Sequence, residues 1–372
     1  MKRLIIIISS MSFGGAEIQT LEVANGLVDR GFDIDIIVLD SMNYSVSRAD
    51  KRINFHFMNK QSFIDFKAIK KIRTLLYDIN PNSIFLVDLY PTMYFNLAIF
   101  PKKPKKNTVT VIHSTLPRDN KEKLQRKIQL PFLKRIGNIV FVSSNQMDYW
   151  IKNYKLDEKK SLFIHNGVDI EKFSIYLSDE EKILITKEEL GIENSHIIIG
   201  NCSRFRVEKR QKDIIEAVKI LKEKGYKIKL LMVGDGEMRE SLEEQIKKYE
   251  LEKDVIITGY IEDVRPYVAL MDIFVLSSDS VETLSIAAIE SLAMKKATVL
   301  SDIGGASEIV VDGMNGYRYQ PKDYYELATK LETMIKEGKY KEMGEKGYLH
   351  ALKYFQRGKM VSDYEKIFEK PH

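Results

Sequence analysis

Glu282 and Glu290 are separated by the seven residues Thr283-Leu-Ser-Ile-Ala-Ala-Ile289, and the apolar run Asp272-Ile-Phe-Val-Leu-Ser277 leads into them. Leu284, Ala287, Ala288, Ser291 and Leu292 then recur at helical spacing, so one carboxylate precedes a helix and the other lies within it. Such a turn opens at a strand's carboxyl end. Open α/β sheets bind ligands there, and the free N–H groups of the new helix suit a phosphate. A carboxylate beside those donors can take sugar hydroxyls.

A second group of candidates lies upstream. The strand-like run His196-Ile-Ile-Ile-Gly-Asn-Cys-Ser203 ends in Arg204-Phe-Arg-Val-Glu-Lys209, after which Ile214, Ile215, Val218 and Leu221 show helical spacing. Arg offers a forked donor set and Lys a point charge, and together they can hold a diphosphate without a metal. The alternative is a solvated charge run. In the first half, Gly14-Gly15 follows the first apolar strand and precedes a helix, leaving the backbone open to a phosphate or hydroxyl. A plain tight turn is the other reading. His113 ends the strand Thr108 to Ile112.

The elements needed to position these residues are legible as two α/β series. Strands Leu4–Ile8, Asp33–Leu39, Ser83–Val87, Thr108–Ile112 and Ile139–Ser143 alternate with amphipathic helical segments. Gly31 and Pro81 stand where helices end. The polar, charged stretch from Ser174 to Glu193 has no strand character and reads as a linker. The pattern restarts with strands His196–Cys202, Ile228–Val233, Val255–Thr258, Ile273–Leu276 and Thr298–Ser301, then turns helical after Lys322. Both halves are candidates for doubly wound sheets. The expected domains are 1–173 and 195–354, with a linker over 174–194.

Taken in order, six motifs resemble the retaining glycosyltransferases of family 4: Gly14-Gly15-Ala-Glu17, His113, His165-Asn-Gly-Val-Asp169, Arg204 to Lys209, Glu282 to Glu290, and Gly304-Gly305-Ala-Ser-Glu308. The resemblance covers nearly the whole chain. It implies the GT-B fold, two facing Rossmann-like domains with an interdomain cleft, and a C-terminal helix over about 355–372 that packs back on the first domain. The implied reaction moves a sugar from a nucleoside-diphosphate sugar, UDP by family habit, to a glycan or lipid-linked acceptor in polysaccharide or lipopolysaccharide assembly. Arg204 and Lys209 would neutralise the diphosphate, Glu282 would orient the donor sugar, and Glu290 would accept from the ribose. Gly14, Gly15, Thr283, Leu284, Ser285 and Ile261 would line the donor. Gly15 and His113 would also face the acceptor. His165 reads as structural, and Glu17 as serving its helix dipole. The chain departs from the family's usual Glu-Gly-Phe-Gly with Glu282-Thr-Leu-Ser285, and from its Gly-Lys-Pro with Lys295-Lys-Ala297. A sugar-nucleotide epimerase of the same architecture, or a non-catalytic partner of another transferase, are the alternatives.

Composition bounds these expectations. The chain of 372 residues suits two domains with their own cores. Its opening apolar run is too short for a signal-peptide core or a membrane span. Cys202 is the sole cysteine, which excludes an intrachain disulfide and a cysteine-rich metal site and fits a cytoplasmic protein. No metal and no cofactor are expected. Asp33-Ile-Asp35 matches a metal-holding pattern yet reads as a half-exposed strand start, and Gly234-Asp-Gly236 imitates a dinucleotide fingerprint but has Arg239 for its third glycine. Residues 1–165 hold 26 Lys/Arg against 15 Asp/Glu, whereas the remainder holds 32 against 38. The excess sits in Lys102–Lys106 and Lys121–Arg135, where apolar residues interleave. This face can rest on an anionic membrane from the inner side, or be the solvated face of a packed helix. Nucleic acid is disfavoured, since few aromatics and no binding motif accompany the cations.

Overall fold

The computed structural model describes residues 2–12, 14–104, 107–117, 119–193 and 195–369. Lys105, Lys106, Asn194 and residues 370–372, which belong to segments singled out above, lie outside the described residues. The chain forms two units, one containing the residues up to Gly167 together with the segment from Arg357, the other Val168–Gln356.

In the first unit, seven strands form one sheet: β1 (Lys2–Ile8), β2 (Phe32–Val38), β3 (Asn54–Phe57), β4 (Ser83–Val87), β5 (Thr108–Ile112), β6 (Asn138–Phe141) and β7 (Ser161–Phe163), in the order β3-β2-β1-β4-β5-β6-β7. Every pairing is parallel. Crossover helices cover both faces, so the central strands are apolar throughout: Leu4, Ile5, Ile6 and Ile7 are fully buried. The sheet's order reverses between β1 and β4, which places the loop after β1 and residue Asp88 after β4 at a topological switch point.

The second unit repeats the plan with β8 (Ile197–Cys202), β9 (Ile228–Val233), β10 (Val255–Ile257), β11 (Ile273–Leu276), β12 (Ala297–Ser301) and β13 (Gly316–Tyr319), in the order β10-β9-β8-β11-β12-β13. Its switch point lies between β8 and β11, the strands that lead to Arg204 and to Glu282. Each unit is thus a Rossmann-like doubly wound domain.

Two expectations about boundaries change. The crossings fall after Gly167 and Gln356, and the stretch 174–194 is no linker. Asp179 caps a helix over Glu180–Glu189 by accepting from Lys182 N at 3.3 Å, Thr186 and Ile192 are buried, and the Arg265 guanidinium lies 5.1 Å from the Tyr176 ring centre. Only a narrow strip of this segment is buried, so its charged outer residues mask it in the sequence.

The helix Arg357–Phe368 belongs to the first unit. Tyr364 and Phe368 place their rings 5.1 and 5.7 Å from that of Phe85, and Arg30 pairs with Glu365 at 2.6 Å. Phe368 is almost fully buried. Phe368→Ala is expected to destabilise this unit by about 3–5 kcal/mol, measured by urea unfolding, with little change in the second unit.

Candidate active site

The second unit brings its two strand-end loops together. Asn201 on β8 donates to the carbonyl of Val275 on β11 at 2.8 Å, and the Ser277 hydroxyl at the end of β11 donates to the carbonyls of Lys209 and Arg210 at 2.8 and 2.9 Å. Asp279 N donates to Glu208 O at 2.9 Å, and Gln211 holds the Arg204 carbonyl at 3.0 Å. The loop carrying the cations is therefore stitched to the strand carrying the acids. Lys209 Nζ then donates to Glu282 Oε2 at 2.5 Å, and the Ser278 hydroxyl reaches the same oxygen at 3.1 Å. Both members of the ion pair are about one-fifth exposed.

Arg204, in the same loop as Lys209, is exposed, and no carboxylate among the described residues binds its guanidinium. Arg210, by contrast, is committed to a two-pronged contact with buried Asp213 at 2.7 and 2.8 Å. The two neighbouring arginines thus differ in availability. Glu282, Thr283 and Ser285 line a small pocket with Ser278, Ile303 and Ala306. Ser285 caps the helix Ile286–Ala293 by accepting from Ala288 N at 3.3 Å, and Leu284 is buried beneath the turn. Glu290 lies in that helix, near enough that its charge adds to desolvation in pushing the Cys202 thiol up to about 12. Cys202 is consequently a protonated packing group at neutral pH.

Two glycine loops support this surface. Gly304 has φ +54°, and a Cβ there would stand 2.0 Å from the Glu282 carbonyl oxygen. Gly305 N donates to Thr283 O at 2.6 Å, locking the loop after β12 against the acidic turn. Gly234 and Gly236 serve packing rather than a dinucleotide: Cβ atoms there would lie 2.1 Å from Ser203 O and 2.3 Å from Phe205 O. Arg239, in the third position, pairs with Asp235 and Glu243. Lys295, which replaces the usual glycine of the family motif, sits at φ +57°, a conformation that glycine adopts at less strain. Ile261 is half-buried in the loop after β10, behind exposed Tyr260.

In the first unit, His113 follows β5 and its backbone N–H donates to Asp88 Oδ1 at 2.8 Å. Asp88, which no motif in the sequence marks, has φ +68° and ψ 179°. A strained residue of this kind costs about 1–3 kcal/mol. Asp88 borders a groove of about 910 Å³ shared with Lys60, Tyr90, Lys121, Gln125 and Arg126, and the buried His113 Nδ1 lies 3.7 Å from Asp88 Oδ2. Gly14 and Gly15 begin the helix after β1. Glu17, read above as a dipole partner only, accepts from Ser10 and Ser12 at 3.0 and 2.7 Å and so fixes the loop. Its carboxylate occupies the space a Gly14 side chain would need, while Gly15 borders open space.

Other sequence candidates have structural partners. Asp35 is buried, not half-exposed, and hydrogen-bonds His56 Nε2 at 2.7 Å, because β2 is an interior strand covered on both faces. Asp33 faces Arg3 at 3.9 Å. The His165 ring lies 5.2 Å from that of Phe163 at a tilt of 51°, Asn166 is buried, and Gly167 N donates to Gln19 Oε1 at 3.0 Å.

Comparison with known proteins identifies the family. Residues 13–172 match the model described as Glycosyltransferase Family 4, and residues 183–350 match Glycosyl transferases group 1. The chain belongs to the family 4 glycosyltransferases. Family members similar to it include the N-acetyl-alpha-D-glucosaminyl L-malate synthase of Bacillus anthracis, 29% identical over 49% of this chain and 48% of that one. Another is the N-acetylgalactosamine-N,N'-diacetylbacillosaminyl-diphospho-undecaprenol 4-alpha-N-acetylgalactosaminyltransferase of Campylobacter jejuni, 23% identical over 98% of each. Among solved structures, Anabaena Alr3699/HepE in complex with UDP superposes over the whole of both chains with a TM-score of 0.87 at 19% identity. The fold of this glycosyltransferase is GT-B.

Gly304→Ala tests the fit of the two loops in the second unit. It is expected to lower stability by about 1–3 kcal/mol through its backbone conformation alone, with further loss from the clash, as read by thermal unfolding.

Proposed function

We propose that this glycosyltransferase transfers a sugar, with retention, from a UDP-sugar to a glycan or lipid-linked glycan acceptor in cell-surface polysaccharide or glycolipid synthesis. The observation that supports the donor assignment is the Lys209–Glu282 ion pair at the switch point of the second unit, with exposed Arg204 in the same loop as Lys209. Arg204 and Lys209 neutralise the diphosphate as charge builds on the leaving group, an electrostatic contribution of the kind that dominates such rates. The N–H groups of Leu284 and Ser285 assist at the helix start. Glu282 orients the donor sugar through its hydroxyls, with Thr283 bordering the sugar, and Glu290 accepts from the ribose. Ile261 borders the nucleobase, and Gly14, Gly15 and His113 serve the diphosphate and acceptor side.

No metal enters this scheme, because the two cations supply the charge. Retention follows from attack on the same face of the sugar as the departing phosphate, which takes the acceptor's proton; Glu282 is not a nucleophile. The UDP complex of the similar Anabaena structure and the lipid-diphosphate acceptor named for the Campylobacter relative support the choice of ligand classes.

Contact with an anionic membrane forms part of the proposal. Among the described residues no helix is long and apolar enough to cross a membrane. The helix Asn120–Leu133 buries Arg126, Gln129 and Leu133 and exposes Leu124 and Ile128 among Lys121, Lys123, Lys127, Lys134 and Arg135. Such a face combines apolar insertion with attraction to acidic headgroups.

Lys209→Ala is expected to lower kcat/KM for UDP-sugar turnover by about 10²-fold or more while leaving the fold intact, in an assay of UDP release with and without EDTA. Unchanged turnover would remove the diphosphate clamp, and sensitivity to EDTA would contradict the metal-free scheme. In flotation assays, the protein is expected to bind phosphatidylglycerol vesicles in a salt-sensitive manner, and reversal of the charges at Lys121, Lys123 and Lys127 to abolish binding.

A further inference from the structure

Lys209 ends a short helical turn, Val207–Lys209, and the next residue, Arg210, reverses the chain into the helix Gln211–Glu223. Arg210 does so at φ +47° and ψ 40°, a left-handed conformation that glycine adopts at less strain. An arginine kept at such a position needs a compensating interaction, and its guanidinium supplies one. Nε and a terminal nitrogen donate to the two carboxylate oxygens of Asp213 at 2.7 and 2.8 Å, a forked contact that a lysine cannot reproduce. The Asp213 side chain is only 4% exposed, so its charge depends on this partner. Asp213 N–H also donates to the Arg210 carbonyl at 2.9 Å, closing the turn on itself.

The other side of the turn is tied to β11. Ser277 Oγ lies 2.8 Å from the Lys209 carbonyl and 2.9 Å from that of Arg210, and Asp279 N–H donates to Glu208 O at 2.9 Å. The Asp279 carboxylate stands 3.9 Å from the remaining nitrogen of Arg210 and 3.5 Å from Lys322 Nζ. The backbone of Lys209 is therefore clamped from two directions, by β11 through hydroxyl and amide groups, and by the helix Gln211–Glu223 through the Arg210–Asp213 fork. Lysine carries its point charge on a flexible stem, so the direction of its backbone decides where that charge can go. Here it reaches Glu282 at 2.5 Å. With its fork on Asp213, Arg210 contributes the position of its neighbour.

We infer that Arg210 and Asp213 are positioning residues of the donor site: their ion pair fixes the left-handed turn that aims the Lys209 ammonium at the diphosphate. The inference rests on the reading of Lys209 as a diphosphate ligand, and extends it to a pair that acts through that lysine.

The test is a calorimetric titration of the full chain with UDP, joined to phosphorus NMR of the bound nucleotide. Asp213→Asn leaves both cations in place and removes only the charge that holds the fork. It is expected to weaken UDP by about tenfold and to shift the β-phosphate resonance. Arg210→Gly combined with Asp213→Asn removes the fork without leaving a buried charge alone, and puts glycine at φ +47°; it should melt close to the wild type and show the same loss. Lys209→Ala should weaken UDP further, and adding the Arg210→Gly and Asp213→Asn pair to it should cost nothing more, since residues that act only through Lys209 are non-additive with it. A purely structural ion pair would lower the melting temperature and leave the affinity and phosphorus signal of the folded protein unchanged. Unchanged UDP affinity in the folded variants, tighter binding from a released Arg210, or full additivity with Lys209→Ala overturns the inference. Where any of these occurs while Lys209→Ala still weakens UDP, the inference alone falls. If Lys209→Ala has no effect, or the wild type does not bind UDP, the diphosphate reading beneath it falls as well.

Discussion

The second unit depends on one constraint: β8 and β11 are neighbours in the sheet, but their following segments cross over in opposite directions. A crevice must open where they part, and the chain has to prevent it from gaping. Asn201, Ser277 and Asp279 do so with hydrogen bonds that run from one loop to the other strand. The Lys209–Glu282 ion pair sits over these tethers. Its two charges are only partly screened, so the pair is a store of opposite charge that a ligand can divide. On the proposed reading a diphosphate takes Lys209 and the sugar hydroxyls take Glu282. The ligand then replaces an existing interaction instead of filling two bare charges, which limits the desolvation that binding has to overcome.

The first unit uses the same geometry with different chemistry. Its switch point carries a strained aspartate beside a histidine, where the second carries the Lys209–Glu282 ion pair, exposed Arg204 and a helix start. The charge asymmetry along the sequence reflects this only in part. Much of the basic excess of the first half lies on the exposed face of the helix Asn120–Leu133; in the groove, Lys60 pairs with Asp40, Arg126 is enclosed, and Lys121 shares the lining with Asp119 and Glu122. Net charge therefore speaks about the surface, and the site has to be read from individual partners.

Much of this arrangement was legible in the residues. The interior strands are buried on both faces and read as continuous apolar runs, so β1, β2, β4, β5, β8, β9 and β11 stand out. Three of the four edge strands do not: β3, β7 and β13 are short and carry polar or aromatic residues such as His56, Ser161 and Arg318, and no periodicity marks them. Lys209 and Glu282 were singled out because charges in the loop that follows an apolar strand are a positional signal. Asp88 follows β4 directly, yet what sets it apart is a backbone angle and the groups that pin it, neither of which leaves a mark in the sequence. Glu17 and the glycines at 234 and 236 were visible, but their roles were not, since each depends on a segment distant in the fold or on a loop's exact path. The helix Glu180–Glu189 was missed because its charged face outweighs the few residues it buries.

The central claim is that the strand-end loops of the second unit hold the nucleotide of the donor. Hydrogen–deuterium exchange of the full chain, with and without saturating UDP, tests it most directly. The account predicts protection in three segments, 203–211, 278–286 and 303–308, with the exchange of β1 to β3 unchanged. Protection confined to other segments while UDP is bound would contradict it.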